Sequence, residues 1–214
     1  MESKQAKELT SRIFREIESA TSIDKLEHIK NIEELKVNRM KEEKYPPIKF
    51  EISYSEIKKF LDNENNLLKD SSIITDPLAK ILYALAWKNG DLQKIKHIVE
   101  GIRNIDSYDE DMKNDGLVFY QFGKYLTKKN NEPIIDQHVI RAFAVRNAEK
   151  YKVDIDTLRR MSLLNSETHR GYIKDYKCWL ISDDIQPSLK KEKDYIYHID
   201  QILFALGKTI KLKK

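Results

Sequence analysis

The sequence predicts an all-α protein. Helix breakers are scarce, with six Gly and five Pro in 214 residues. Lys, Glu, Leu and Ile are abundant, a composition that favours helices over short strands. Apolar residues also recur at three- and four-residue spacing along most of the chain. The length suits one generous domain or two small helical lobes with a real core.

Residues 2–20 read as an amphipathic helix with Leu9, Ile13 and Ile17 on one stripe. A charged helical stretch follows Ser22, carrying Ile23, Leu26, Ile29, Ile32 and Leu35, and it runs into the break at Pro46-Pro47. The chain therefore divides into an N-terminal helical extension, 1–45, and a body, 46–214. The extension is either a hairpin packed on the body or an interaction arm. Beyond the break, Ser53 or Ser55 caps a helix with Ile57, Phe60 and Leu61. Asp76-Pro77 starts a second, which Gly90 ends. That helix is apolar on most faces (Leu78, Ile81, Leu82, Ala84, Leu85, Ala86), so it is expected to be central. Asp91 caps the next, with Leu92, Ile95, Ile98, Val99 and Ile102. An aromatic helix follows over 117–128. Asp154 or Asp156 caps a helix with Leu158, Met161 and Leu164, another runs from Ser166 to Ile181, and the last begins after Pro187 and stops at Gly207.

The formal net charge is +4 with an isoelectric point near 8.8, which permits a polyanionic partner without demanding one. A single cysteine, Cys178, excludes an internal disulfide and any multi-cysteine zinc or iron–sulfur site, and it indicates a reducing, cytoplasmic setting. Cys178 beside Trp179 reads as a buried structural thiol. No apolar run approaches the roughly 20 residues of a membrane helix, and the N-terminus lacks the apolar core of a signal peptide. The five histidines, His28, His97, His138, His169 and His198, show no metal-ligand spacing, so neither a metal nor a cofactor is expected.

One segment carries chemistry. Residues 115–145 read DGLVFYQFGKYLTKKNNEPIIDQHVIRAFAV: a glycine turn, a helix, a polar link, then Pro-Ile-Ile-Asp opening another helix. Asp136 stands where a carboxylate accepts helix N–H bonds and gains from the macrodipole, and ordinary capping accounts for that position by itself.

The surroundings resemble the helix-hairpin-helix DNA glycosylase superfamily, which includes endonuclease III and the 3-methyladenine glycosylases. Pro133, Ile134, Ile135, Asp136, His138, Val139, Ile140 and Arg141 match its segment Pro-hydrophobic-hydrophobic-Asp-x-His-hydrophobic-hydrophobic-Arg, and Gly116 lies 20 residues before Asp136, where the second hairpin glycine falls. The resemblance covers residues 76–148 best. It implies a two-lobed helical fold with a helix-hairpin-helix element, DNA as partner, and Asp136 as the catalytic carboxylate. The hairpin here reads Asn114-Asp115-Gly116, with an aspartate where a phosphate prefers bare amides. Val118 occupies the position of the Schiff-base lysine, which implies a monofunctional enzyme, and the absent C-terminal cysteine cluster excludes the iron–sulfur subfamily.

Under this reading a modified base leaves the stack and enters a pocket between the lobes, and Asp136 stabilises the cationic sugar or orients water. Trp87, Tyr120 and Phe143 either stack on the flipped base or simply fill cores. Lys113, Asn114, Gly116, Lys128 and Lys129 hold DNA backbone, or the lysines merely solvate a face. Arg141 pairs with a carboxylate or touches DNA. His138 is a general base or a structural hydrogen-bonder. Two rivals remain: a catalytically silent DNA-binding relative in genome maintenance or phage defence, and a helical protein-interaction module.

Overall fold

The computed structural model describes residues 1–41, 43–62, 71–107 and 115–212, and every regular element among them is helical. The caps set the helix starts as the sequence suggests. Asp76 accepts from the Ala79 amide at 2.8 Å, Asp154 from Thr157 at 3.0 Å and Ser166 from His169 at 3.2 Å, each meeting an amide that the helix itself leaves unpaired. At Ser53 the hydroxyl and Glu56 form a reciprocal capping box. No described helix is long and apolar enough to cross a membrane.

The chain forms two compact units, residues 1–47 with 133–214, and residues 48–132. The sequence drew a boundary at residue 45 and kept 46–214 together, whereas residues 1–47 build one core with the C-terminal helices. The first unit holds α1 (Ser3–Ser19), α2 (Ile23–Lys30) and α3 (Glu33–Lys36), then α8 (Gln137–Arg146), α9 (Ala148–Tyr151), α10 (Ile155–Arg160), α11 (Glu167–Ile181) and α12 (Tyr195–Thr209). Ile13, Phe14 and Ile17 of α1 are fully buried. Phe14 packs on Trp179 at 5.0 Å between ring centroids, and Phe143 meets Tyr176 at 5.3 Å. Arg159, also buried, donates to the Ile210 carbonyl at 2.8 Å and the Met1 carbonyl at 2.7 Å, tying the two ends of the chain to α10. Burial of this N-terminal apolar stripe makes the first 47 residues part of the core rather than an arm.

The second unit holds α4 (Tyr54–Ile57), α5 (Pro77–Lys88), α6 (Leu92–Arg103) and α7 (Leu117–Leu126). Helices α6 and α7 meet at two glycines. A Cβ on Gly101 would stand 1.9 Å from the Tyr120 carbonyl oxygen, and one on Gly123 2.0 Å from that of Ile98, so the backbones touch where side chains would separate them. Helix α5 is not central. Leu78, Ile81, Leu82 and Leu85 are all more than half exposed, and Ala79, Leu82, Tyr83 and Ala86 line a cavity of about 410 Å³ shared with Phe60, Ile73 and Val99. Apolar residues nearly all round this helix leave the sequence no way to choose its buried face.

Gly207 does not stop α12, which runs on to Thr209. A Cβ there would lie 1.9 Å from the His138 carbonyl oxygen, so this glycine sets the distance between α8 and α12. Gly207→Ala is expected to cost about 1–3 kcal/mol in denaturant unfolding. Gly171→Ala, in α11 with nothing within 4 Å of the new methyl, is expected to gain about 0.4–1 kcal/mol.

Candidate functional site

The segment Pro133–Ile135 carries the chain into α8, with Ile135 buried and the Ile134 amide donating to Asp200 Oδ2 at 2.7 Å. Asp136 follows as the N-cap, extended in backbone and half-buried. Its Oδ1 accepts from the His138 amide at 2.5 Å. No hydrogen-bond partner for Oδ2 occurs among the described residues.

Behind Asp136 stands a polar cluster. Arg141 has no exposed surface, and its Nη1 donates to the Gly207 carbonyl at 2.9 Å and lies 2.6 Å from His138 Nδ1, while Nη2 donates to the Met161 carbonyl. A guanidinium nitrogen can only donate, so His138 Nδ1 must accept and the ring proton sits on Nε2. Burial pushes His138 down to about 4, partly offset by the charge of Asp136, and the positive charges of Arg141, Lys211 and Lys208 press in the same direction as burial. Burial likewise lowers Arg141 to about 10, with Asp136 opposing, so it stays charged at neutral pH. His138 is therefore a neutral hydrogen-bonder with both nitrogens assigned. It has no lone pair to serve as a general base. Its ring stands edge-on to Phe204, 5.1 Å between centroids.

The structure thus brings Asp136, His138 and Arg141 together, and Arg141, expected as a possible DNA contact, lies where no phosphate reaches. Phe143 is buried among Phe14, Tyr176 and Trp179, filling the core of the first unit. The remaining described candidates belong to the second unit. Tyr120 is buried there at the α6–α7 contact. Trp87 is 67% exposed at the end of α5, outside any core. Gly116, at φ 73°, caps α7, and a Cβ would strike the His97 ring at 2.3 Å, so both conformation and space require glycine. Lys128 and Lys129 are exposed just beyond α7, and Lys128 Nζ lies 3.6 Å from the centre of the Tyr125 ring. Lys113 and Asn114 lie outside the described residues. Cys178 is exposed, not buried, because its place on α11 turns away from the stripe of Tyr172, Tyr176 and Trp179. Among the described residues no group of three or more His, Cys, Asp or Glu could hold a metal ion.

Three residues of the site escaped sequence reasoning. Lys208 and Lys211 lie close enough to bear on His138, and both are exposed. Asp200 is fully enclosed, with burial raising its carboxyl to about 8. A signal for it existed: Ile196, Asp200, Leu203 and Gly207 follow one line of α12, so an acid interrupts an apolar stripe. No family model, curated protein or solved structure matches the chain.

The His138 geometry has a consequence for stability. The unfolded chain takes up a proton near pH 6.5 that the folded protein resists until about pH 4, so this group makes stability fall as pH drops through that window. His138→Asn, whose Oδ1 can still accept from Arg141, is expected to remove most of that contribution, about 3 kcal/mol at the acid end. Chemical denaturation at pH 4 and pH 7 reads the difference.

Proposed function

We propose that the chain is a monofunctional, base-excising DNA glycosylase-like protein, with the helix-hairpin-helix architecture that the motif implies. The observation that carries this reading is Asp136 itself: a half-buried carboxylate at the head of α8, with one oxygen bonded to the His138 amide and the other without a protein partner among the described residues.

A carboxylate so held suits a reaction that develops positive charge on a sugar. As the C1′–N bond breaks, its electron pair leaves on the base nitrogen and the sugar becomes oxocarbenium-like. Asp136 Oδ2 stabilises that cation electrostatically, most strongly where water is partly excluded. Water then adds to C1′, loses a proton to solvent, and the departing base gains one. Val118 cannot form an imine, so the motif position supplies no lyase step. Lys208 and Lys211, both exposed in the unit that holds Asp136, supply phosphate contacts. The lone cysteine accords with a reducing, cytoplasmic setting.

A second reading, a silent DNA-binding relative, draws on Asp115, whose side chain is 92% exposed beside Gly116 where a phosphate would approach. One experiment separates the two. Duplexes carrying alkylated, deaminated or oxidised bases are incubated with the protein, then treated with alkali. Breaks at one class of lesion, reduced about a hundredfold or more in Asp136→Asn, support excision. The variant is expected to fold normally because Asn caps as well as Asp. Duplex affinity that is retained without breaks supports the silent binder. Affinity that is weak and lacks a counterion-release slope removes DNA from the account.

A further inference from the structure

We propose that Asp200 is the positioning residue of this site, holding the segment that aims Asp136, an inference that rests on the excision reading above. The segment Pro133–Ile135 lies outside any helix. Its Ile134 amide is instead taken by a side chain 66 residues away, Asp200 Oδ2 at 2.7 Å. The other oxygen, Oδ1, accepts from the Tyr176 hydroxyl at 2.5 Å. Both partners are themselves anchored. Tyr176 is fully buried on α11, and α12 is clamped to α8 by the Gly207 contact and the Arg141 bond to the Gly207 carbonyl.

A fully packed apolar helix would not choose an aspartate here, since burying a carboxyl is costly without partners. What the acid supplies is an acceptor at a fixed point in a rigid core, two residues ahead of Asp136. Its orientation is locked by Tyr176, and its reach ends at one backbone amide. Burial raises the Asp200 carboxyl to about 8, with the bonds from Tyr176 and Ile134 opposing. With both oxygens taken up inside the core, the side chain fits a role in geometry. Asp200 has only 4% of its surface exposed, so it is no candidate for contact with substrate.

The test compares isosteric variants. Asp200→Asn keeps one acceptor for the Ile134 amide, and its amide group can donate to the Tyr176 oxygen. Asp200→Leu fills the space with no acceptor, and Tyr176→Phe is combined with it so that no buried hydroxyl is left unpaired and the core can fold. Two readouts are taken: hydrogen exchange at the Ile134 amide, and single-turnover base release alongside duplex affinity. In Asp200→Leu/Tyr176→Phe the Ile134 amide is expected to exchange about tenfold faster or more, and base release to fall about tenfold or more with duplex affinity within about twofold. Asp200→Asn is expected to restore both to near wild type. The proposal is overturned if the acceptor-free variant folds with Ile134 protection and base release unchanged, or if Asp200→Asn is as impaired as the acceptor-free variant. Wild-type protein that releases no base overturns the excision reading instead, and the exchange contrast at Ile134 still reports whether Asp200 holds the segment.

Discussion

The geometry around Asp136 depends on one buried cation. Arg141 is wholly enclosed, and desolvating a guanidinium is affordable only when acceptors surround it. It finds them on three separate stretches of chain, the His138 ring on its own helix, the Gly207 carbonyl on α12 and the Met161 carbonyl just past α10. Removing any one of these would leave a buried charge short of partners. The arrangement therefore specifies how three pieces of backbone meet, and it fixes the His138 tautomer as a by-product. The carboxylate at the head of α8 inherits that rigidity.

Two aspartates then divide the labour by environment. Asp136 keeps an oxygen without a protein partner among the described residues, while Asp200 is sealed in the core with both oxygens committed. Electrostatic stabilisation of a developing cation works only if the stabilising group is already in place, because reorganisation at the moment of reaction costs most of the benefit. Under the proposed function, Asp200 and the α8–α12 glycine contact would supply that fixity.

Much of this fold was legible in the residues. The starts of α5 and α11 follow from Asp76-Pro77 and Ser166, and of the two acids offered for α10 it is Asp154 that caps, as short polar residues do at helix starts. The left-handed turn at Gly90 was equally plain. What failed was anything that depends on which surface meets which. Helix α5 carries apolar residues on nearly every side, so periodicity could not reveal that Leu78, Ile81 and Leu85 face outward. Gly207 looked like a stop because glycine ends helices more often than it lets two of them touch. Arg141 was left between a carboxylate and DNA as partners, because two of the acceptors that bury it, the Met161 and Gly207 carbonyls, come from distant stretches of chain. Of the site, Asp136 and its partner His138 could be read locally, whereas Asp200, Lys208 and Lys211 arrive from 60 residues and more beyond and are visible only once the helices pack.

The role proposed for Asp136 is electrostatic, and its effect can be measured without knowing the target base. A duplex containing an abasic pyrrolidine, whose protonated ring nitrogen imitates the cationic sugar, is compared with one containing neutral tetrahydrofuran, by affinity at fixed salt. The account predicts that wild type prefers the cationic analogue by about tenfold or more, and that Asp136→Asn loses this preference while binding the neutral duplex equally well. Equal affinity of the wild type for both analogues would contradict it.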